Sequence, residues 1–199
     1  MLTQIRHRLA QHEPRQLFAQ RAQAGVLVAL TDNVTGPEVI LTRRAVRLST
    51  HSGEVAFPGG KRDPEDIDLL HTALREAHEE VGIAPDQVDI IGPLGQVMSK
   101  HALQVTPWVG VVSADIRLTP NPGEIDQIFR VPLTFFMADH RCRTDALQFR
   151  GKTLYVPAWE FDGHIIWGLT AYVLVELLNI GCDAGIPMRP RPEHDMRYR

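Results

Sequence analysis

The sequence predicts an α/β protein in which a mixed β-sheet is sandwiched by helices. Three stretches carry this expectation. Residues 24–31 (AGVLVALT) form a short apolar run of strand length, and residues 38–43 return after a turn cluster at 32–37. From Ile67 the apolar positions Ile67, Leu70, Leu74, Ala77 and Val81 step by three and four residues, the period of a helix with one buried stripe. Residues 167–180 (WGLTAYVLVELLNI) read as a last helix made mostly of core residues.

Composition bounds the rest. A chain of 199 residues with 44% hydrophobic and 23% charged residues suits a soluble domain of ordinary size. A formal net charge of -3 gives no reason to expect a nucleic-acid partner. Two cysteines, Cys142 and Cys182, are too few for a disulfide framework and read as thiols in a reducing compartment, so a cytoplasmic location is expected. The first residues carry Arg6, Arg8 and Glu13 without an apolar centre, unlike a signal peptide. The longest apolar stretch, 165–180, contains Glu176 and is short of a bilayer span, so no membrane partner is expected.

Taken in order, residues 1–22 read as a helical segment with Leu2, Ile5 and Leu9 on one stripe, broken by Pro14. It reads as a helix packed on the sheet in preference to a lid or homodimer element. Residues 54–57 make a short strand before the turn Pro58-Gly59-Gly60. The stripe helix is expected over 66–81 and should stop at Gly82, which accepts a left-handed turn. Residues 87–98 read as a strand bent by Gly92-Pro93 and Gly95. A polar loop, Ser99-Lys100-His101, leads to a strand over 104–112. A turn at 121–126 precedes a strand over 128–133 and a helical turn over 134–138. Residues 148–150 and 153–159 look like a hairpin around Gly151-Lys152. The main domain is expected over 23–183, and the arginine-rich residues 184–199 as a flexible basic tail.

The chemistry gathers on the stripe helix. Glu76, Glu79 and Glu80 are three carboxylates within five residues, expected in one arc on the side away from the stripe. Glu76 and Glu80 are one turn apart and can reach one ion. Clustered carboxylates repel unless something neutralises them, and hard oxygen ligands suit Mg²⁺ or Mn²⁺. A bare acidic face on an amphipathic helix is the ordinary alternative. The glycine turn just upstream favours the metal, because glycines allow close approach of a ligand. Arg75 lies four residues before Glu79 and can pair with it. Arg43, Arg44 and Arg47 are candidate phosphate contacts through their bidentate forks, or else a solvated basic edge. Lys100 is a further candidate on a loop, and Glu124 is a loop carboxylate able to activate water or to cap a turn.

On these residues the chain resembles the Nudix family. Gly60, the spaced acid Asp66 and the core Arg75, Glu76, Glu79, Glu80 and Gly82 are similar to the Nudix box. Two departures, Asp66 in place of Glu and one extra residue before Arg75, match the coenzyme A pyrophosphatase branch. The segment Leu41-Thr42-x-Arg44-Ala45, Gly53 and Phe57-Pro58-Gly59-Gly60 resembles that branch's upstream signature, except that Ser49 stands where the signature has arginine. The likeness continues through Val105-Thr106-Pro107, Asn121-Pro122, Val131-Pro132-Leu133 and Trp167-Gly168-Leu169-Thr170, and spans roughly residues 24–180.

The resemblance implies a Nudix-type α/β/α sandwich and a Mg²⁺- or Mn²⁺-dependent pyrophosphatase. Coenzyme A or a derivative would be split into 3′,5′-ADP and 4′-phosphopantetheine or its acyl form. Another nucleoside diphosphate derivative is the alternative substrate, and a nucleotide-binding module without catalysis the alternative class. Glu76 and Glu80 are expected as the main metal ligands, with the Gly60 carbonyl added by resemblance. Glu79 is either a ligand or the water-activating base, and Glu124 is the competing base. Arg75 is expected to orient Glu79.

Overall fold

The computed structural model describes residues 1–17, 21–45, 53–99, 102–149 and 152–188. Its centre is β1 (Gln23–Thr31), the apolar run of the sequence. The antiparallel return is β2 (Glu38–Arg44), followed by the short strands β3 (Val55–Ala56) and β4 (Gly59–Lys61). Helix α2 (Leu69–Val81) follows, then β5 (Asp89–Pro93), β6 (Val97–Met98), β7 (Gln104–Val112) and β8 (Ile125–Pro132). All eight strands belong to one sheet, along the path β3-β2-β1-β7-β5, with β4 on β1, β6 on β7 and β8 on β2. The β1–β7 pair is parallel, from Gln23↔Gln104 to Thr31↔Val112, and the other pairs are antiparallel, so the sheet is mixed as expected.

Alternation along β1 divides the core between the two faces of the sheet. Leu27 and Ala29 meet Ala73, Ala77 and Val81 of α2. Val28 and Leu30 belong to the larger core on the other side, with Trp159, Leu174, Leu177 and Leu178. That side is closed by α1 (Leu2–Leu9), α3 (Leu133–Met137), α4 (Gly168–Cys182) and a three-stranded sheet of β9 (Arg143–Phe149), β10 (Lys152–Phe161) and β11 (His164–Ile166). Each fully buried Val or Leu contributes about 1.5–3 kcal/mol, so this two-sided core holds the sandwich together.

Several elements differ from the sequence reading. Among its described residues the N-terminal segment forms one helix, which ends at Leu9, ahead of Pro14, and packs chiefly on α4, with Ile5 beside Gly181. Helix α2 starts at Leu69, because the Asp68 side chain accepts from the His71 N–H at 2.7 Å and caps it. Ile67 therefore lies before the helix and is 82% exposed, not part of the stripe. Gly82 ends α2 with φ 76°, the left-handed stop read from the sequence. The strand expected over 87–98 is two strands, β5 and β6, after a 3-10 turn at Pro85–Gln87. β8 begins at Ile125, earlier than expected, and β11 adds a strand to the hairpin.

Residues 184–188 do not hang free. Ile186 is buried, its N–H donates to Asn179 Oδ1 at 2.7 Å, and Arg141 donates to the Pro187 carbonyl at 2.9 Å. Residues 189–199, the remainder of the expected tail, lie outside the described residues. No described helix is long and apolar enough to cross a membrane.

Candidate active site

Two close approaches build the site. β4 pairs with β1, setting Gly60 opposite Gly25, and α2 crosses β1 at that same point. A Cβ on Gly25 would run into the Leu69 carbonyl and the Ala73 nitrogen. A Cβ on Gly60 would run into the Glu76 carboxyl. Gly59 and Gly60, expected as a turn, are the first residues of β4, and their backbone lies directly against the carboxylate face of the helix. Gly59 has φ 154° and sits against the Gly25 and Val26 backbone, so a side chain has no room there either.

The three helix carboxylates occupy three different environments. Glu80 is only 2% exposed, at the edge of the buried stripe and not on the far side as the sequence suggested. One of its oxygens accepts from the Gly59 N–H at 3.0 Å, and the other accepts from Arg44 Nη1 at 3.1 Å. Burial pushes its carboxyl up to about 7 against those two donors, and the charges of Glu76 and Glu124 add to the rise. Glu76 is partly buried and pairs with Arg75 at 3.0 Å. Burial raises its carboxyl as well, opposed by Arg75 and reinforced by Glu79 and Glu124. Glu79 has a side chain 53% exposed and pairs with Arg75 Nη1 at 3.2 Å.

Arg75 is fixed from behind by Asp66. The Asp66 carboxylate is buried and accepts from Arg75 Nε at 3.0 Å, Arg75 Nη2 at 3.1 Å, Thr72 Oγ1 at 2.9 Å and the Asp63 N–H at 2.9 Å. His71 Nδ1 lies 2.8 Å from it. The Arg75 guanidinium, with the other donors, holds Asp66 well below the usual carboxylate range despite its burial. Arg75 also donates to the Lys61 carbonyl at 3.2 Å, which ties β4 to α2. Arg75 thus pairs with Glu79, the partner expected from the spacing, and with Glu76 as well. The sequence reading left out Asp66 as the anchor, though an acid nine residues before Arg75 was visible.

Glu124 comes to the same place from a distant part of the chain. The Asn121 N–H donates to the Glu80 carbonyl at 2.9 Å, and the Ala45 N–H donates to the Glu124 carbonyl at 2.8 Å. The 121–124 turn is thereby tied both to the end of α2 and to the residue after Arg44. Its carboxylate is near enough to raise both Glu76 and Glu80.

The basic candidates separate. β2 alternates, so Arg44 points to the α2 face and meets Glu80, while Arg43 points to the opposite face. There burial, with the Arg43 charge beside it, holds His164 below the usual histidine range, and His164 stacks on Phe129 at 4.2 Å. Arg43 is thus not part of the cluster expected with Arg44. Arg47, Ser49 and Lys100 lie outside the described residues. Among the described residues, no three His, Cys, Asp or Glu side chains are already drawn together to hold a metal ion. Glu80 spends its oxygens on Gly59 and Arg44, and Glu76 is engaged by Arg75.

Known proteins share this arrangement of chain. The Nudix domain model matches residues 21–145. Nudix hydrolase 15, mitochondrial, of Arabidopsis thaliana is 38% identical over 165 residues, covering 79% of this chain and 58% of the plant protein. The chain therefore spans little more than half the length of that relative. An uncharacterized Nudix hydrolase NudL of Enterobacter sp. (strain 638) is 40% identical over 162 residues, 81% of this chain and 84% of the relative. The crystal structure of a MutT/nudix family protein from Enterococcus faecalis superposes with a TM-score of 0.58 at 13% identity, over 92% of this chain and 70% of that one, a likeness of fold. The matched segment includes every strand and carboxylate of the site just described, from β1 through Glu124, and on it this chain belongs to the Nudix family.

Proposed function

We propose that the protein is a divalent-metal-dependent pyrophosphohydrolase whose substrate is coenzyme A or a derivative, cleaved to 3′,5′-ADP and 4′-phosphopantetheine or its acyl form. The observation that carries the reading is the placement of Glu76 and Glu80 against the Gly59-Gly60 backbone, with the charge of Glu124 acting on both and that of Glu79 on Glu76, because buried carboxylates that repel one another favour a bound cation. The residues fit Mg²⁺ or Mn²⁺. Their donors are hard oxygens, and the Glu76 carboxyl lies close against the Gly60 backbone, where a Cβ would collide with it. Glu76, Glu80 and the Gly60 carbonyl would hold such an ion, which when bound neutralises phosphate charge and lowers the pKa of water.

The chain's own residues supply the remainder. Asp66 holds Arg75, and Arg75 holds Glu79 facing outward at the edge of the site, where it can take a proton from water. Glu124 is the competing base. Water attacks one phosphorus, the bridging P–O bond breaks, and the proton passes to the carboxylate. Arg44 is the described arginine suited to a phosphate oxygen.

The coenzyme A assignment rests on the segment from Leu41 to Gly60, which resembles that branch, and Ser49 at its arginine position favours keeping another nucleoside diphosphate derivative as second reading. A panel of coenzyme A, acyl-coenzyme A and other nucleoside diphosphate derivatives, with products identified by mass spectrometry, tests it. Coenzyme A or its acyl form is expected to show the highest kcat/KM. A higher value for another compound would transfer the assignment to that compound.

A further inference from the structure

Arg44 is where the site holds a cation of its own. Its side chain makes one hydrogen bond among the described residues, to Glu80 Oε1 at 3.1 Å, and its Nε is buried without a partner. The backbone around it is well fixed. The Arg44 N–H donates to the Glu54 carbonyl, the Gly53 N–H to the Arg44 carbonyl and the Ala45 N–H to the Glu124 carbonyl. The pairing of β2 with β8 shifts register between Arg43 and Arg44, the last two residues of β2. A guanidinium with five donors that satisfies one acceptor is under-used, and a buried Nε without a partner costs free energy.

Resting on the proposed metal-dependent hydrolysis, we infer that Arg44 is a two-position residue: it occupies Glu80 as a placeholder cation until a metal takes that oxygen, and then turns to a substrate phosphate. In the first position it stabilises the buried Glu80 carboxylate, which otherwise faces Glu76 and Glu124. In the second it meets phosphate oxygens with its planar fork, for which several donors are available at once. Metal binding and substrate binding are then linked through one side chain. Displacing Arg44 opposes metal entry, and the displaced guanidinium adds a contact for the phosphate.

The test uses the full chain without substrate. At mildly alkaline pH, where the carboxylates are ionised, Arg44→Gln should bind Mn²⁺ about tenfold more tightly than wild type by calorimetry, the scale on which a neighbouring charge shifts a carboxylate equilibrium. Its KM in the Mg²⁺-dependent reaction should rise by a similar factor. Unchanged or weaker Mn²⁺ binding by a folded Arg44→Gln protein contradicts the placeholder role. Side-chain NMR of the wild-type guanidinium gives a second reading that does not depend on any variant folding. Rotation of Arg44 about its Cζ–Nε bond should be hindered in the metal-free protein, free with Mg²⁺, and hindered again with Mg²⁺ plus methylenediphosphonate. Rotation that Mg²⁺ leaves unaltered overturns the proposal. Both binding measurements stand whichever substrate the panel assay identifies, so failure of the coenzyme A reading and failure of this one are separable.

Discussion

At the scale of single residues, one helix turn carries carboxylates of unlike character. Glu80 is buried and doubly hydrogen-bonded, Glu76 is half-way, and Glu79 faces outward on the Arg75 fork. Glu80→Gln and Glu76→Gln should keep the fold, since volume hardly changes, and lose at least about 10²-fold in turnover, the scale of disturbing a metal's surroundings. Near-wild-type rates at saturating Mg²⁺ would remove them as ligands. The base is decided by a pair of variants. Glu79→Gln should lower kcat by about 10²–10⁴-fold with metal affinity nearly kept. A loss there below about tenfold, with Glu124→Gln in the general-base range, would move the role to Glu124. Asp66 supports all of this from beneath. Its folded carboxyl is depressed, so its stabilisation is present above the ordinary carboxylate range and is lost as pH falls through that lower folded value. Asp66→Asn should cost about 3 kcal/mol at neutral pH, because it leaves Arg75 without its buried partner. Denaturant titrations check this, and the gap between variant and wild type should narrow in acid.

At the scale of elements, Gly25 is the point where α2 touches the sheet. Gly25→Ala should cost about 1–3 kcal/mol through overpacking and depress turnover by shifting α2 against β4. Unaltered melting temperature and unaltered rate would show that the contact relaxes easily. Helix α4 carries a buried polar contact outside the site. Glu176 accepts from the Gly95 N–H at 3.2 Å, and burial raises its carboxyl despite the charges of Arg15 and His12. An acid raised in the folded state loses stability as pH rises from its unfolded value through its folded one. The melting temperature of Glu176→Gln, relative to wild type, should therefore be higher at about pH 8 than at about pH 4; a difference that is flat or reversed would contradict this. These elements also mark the limit of what the chain tells locally. The helix period, the Gly82 stop and the Arg75–Glu79 spacing are short-range signals, and they gave α2 and its carboxylates. Ile67 misled because the Asp68 cap outweighs one more apolar residue in the period. The burial of Glu80, the arrival of Glu124 and the turn of Arg43 to the other face of the sheet depend on contacts across 21 residues or more of chain, or on which face of β2 is covered, and no local pattern records them.

At the scale of the whole molecule, the sandwich holds the glycine backbone of β4 against one helix face. β1 is the common support, since β4 pairs with it and α2 crosses it, while the larger core on the far side fixes β1 itself. The part of the chain beyond residue 145, outside the matched Nudix segment, supplies much of that far core through β10 and α4. The most direct test of the account is the reaction of purified protein with coenzyme A and Mg²⁺, followed by mass spectrometry. The account predicts steady formation of 3′,5′-ADP and 4′-phosphopantetheine that stops on adding EDTA and is nearly absent in Glu80→Gln. Coenzyme A left intact by folded, Mg²⁺-saturated protein would contradict the substrate, and turnover that survives both EDTA and Glu80→Gln would contradict the metal-holding role of the α2 carboxylates.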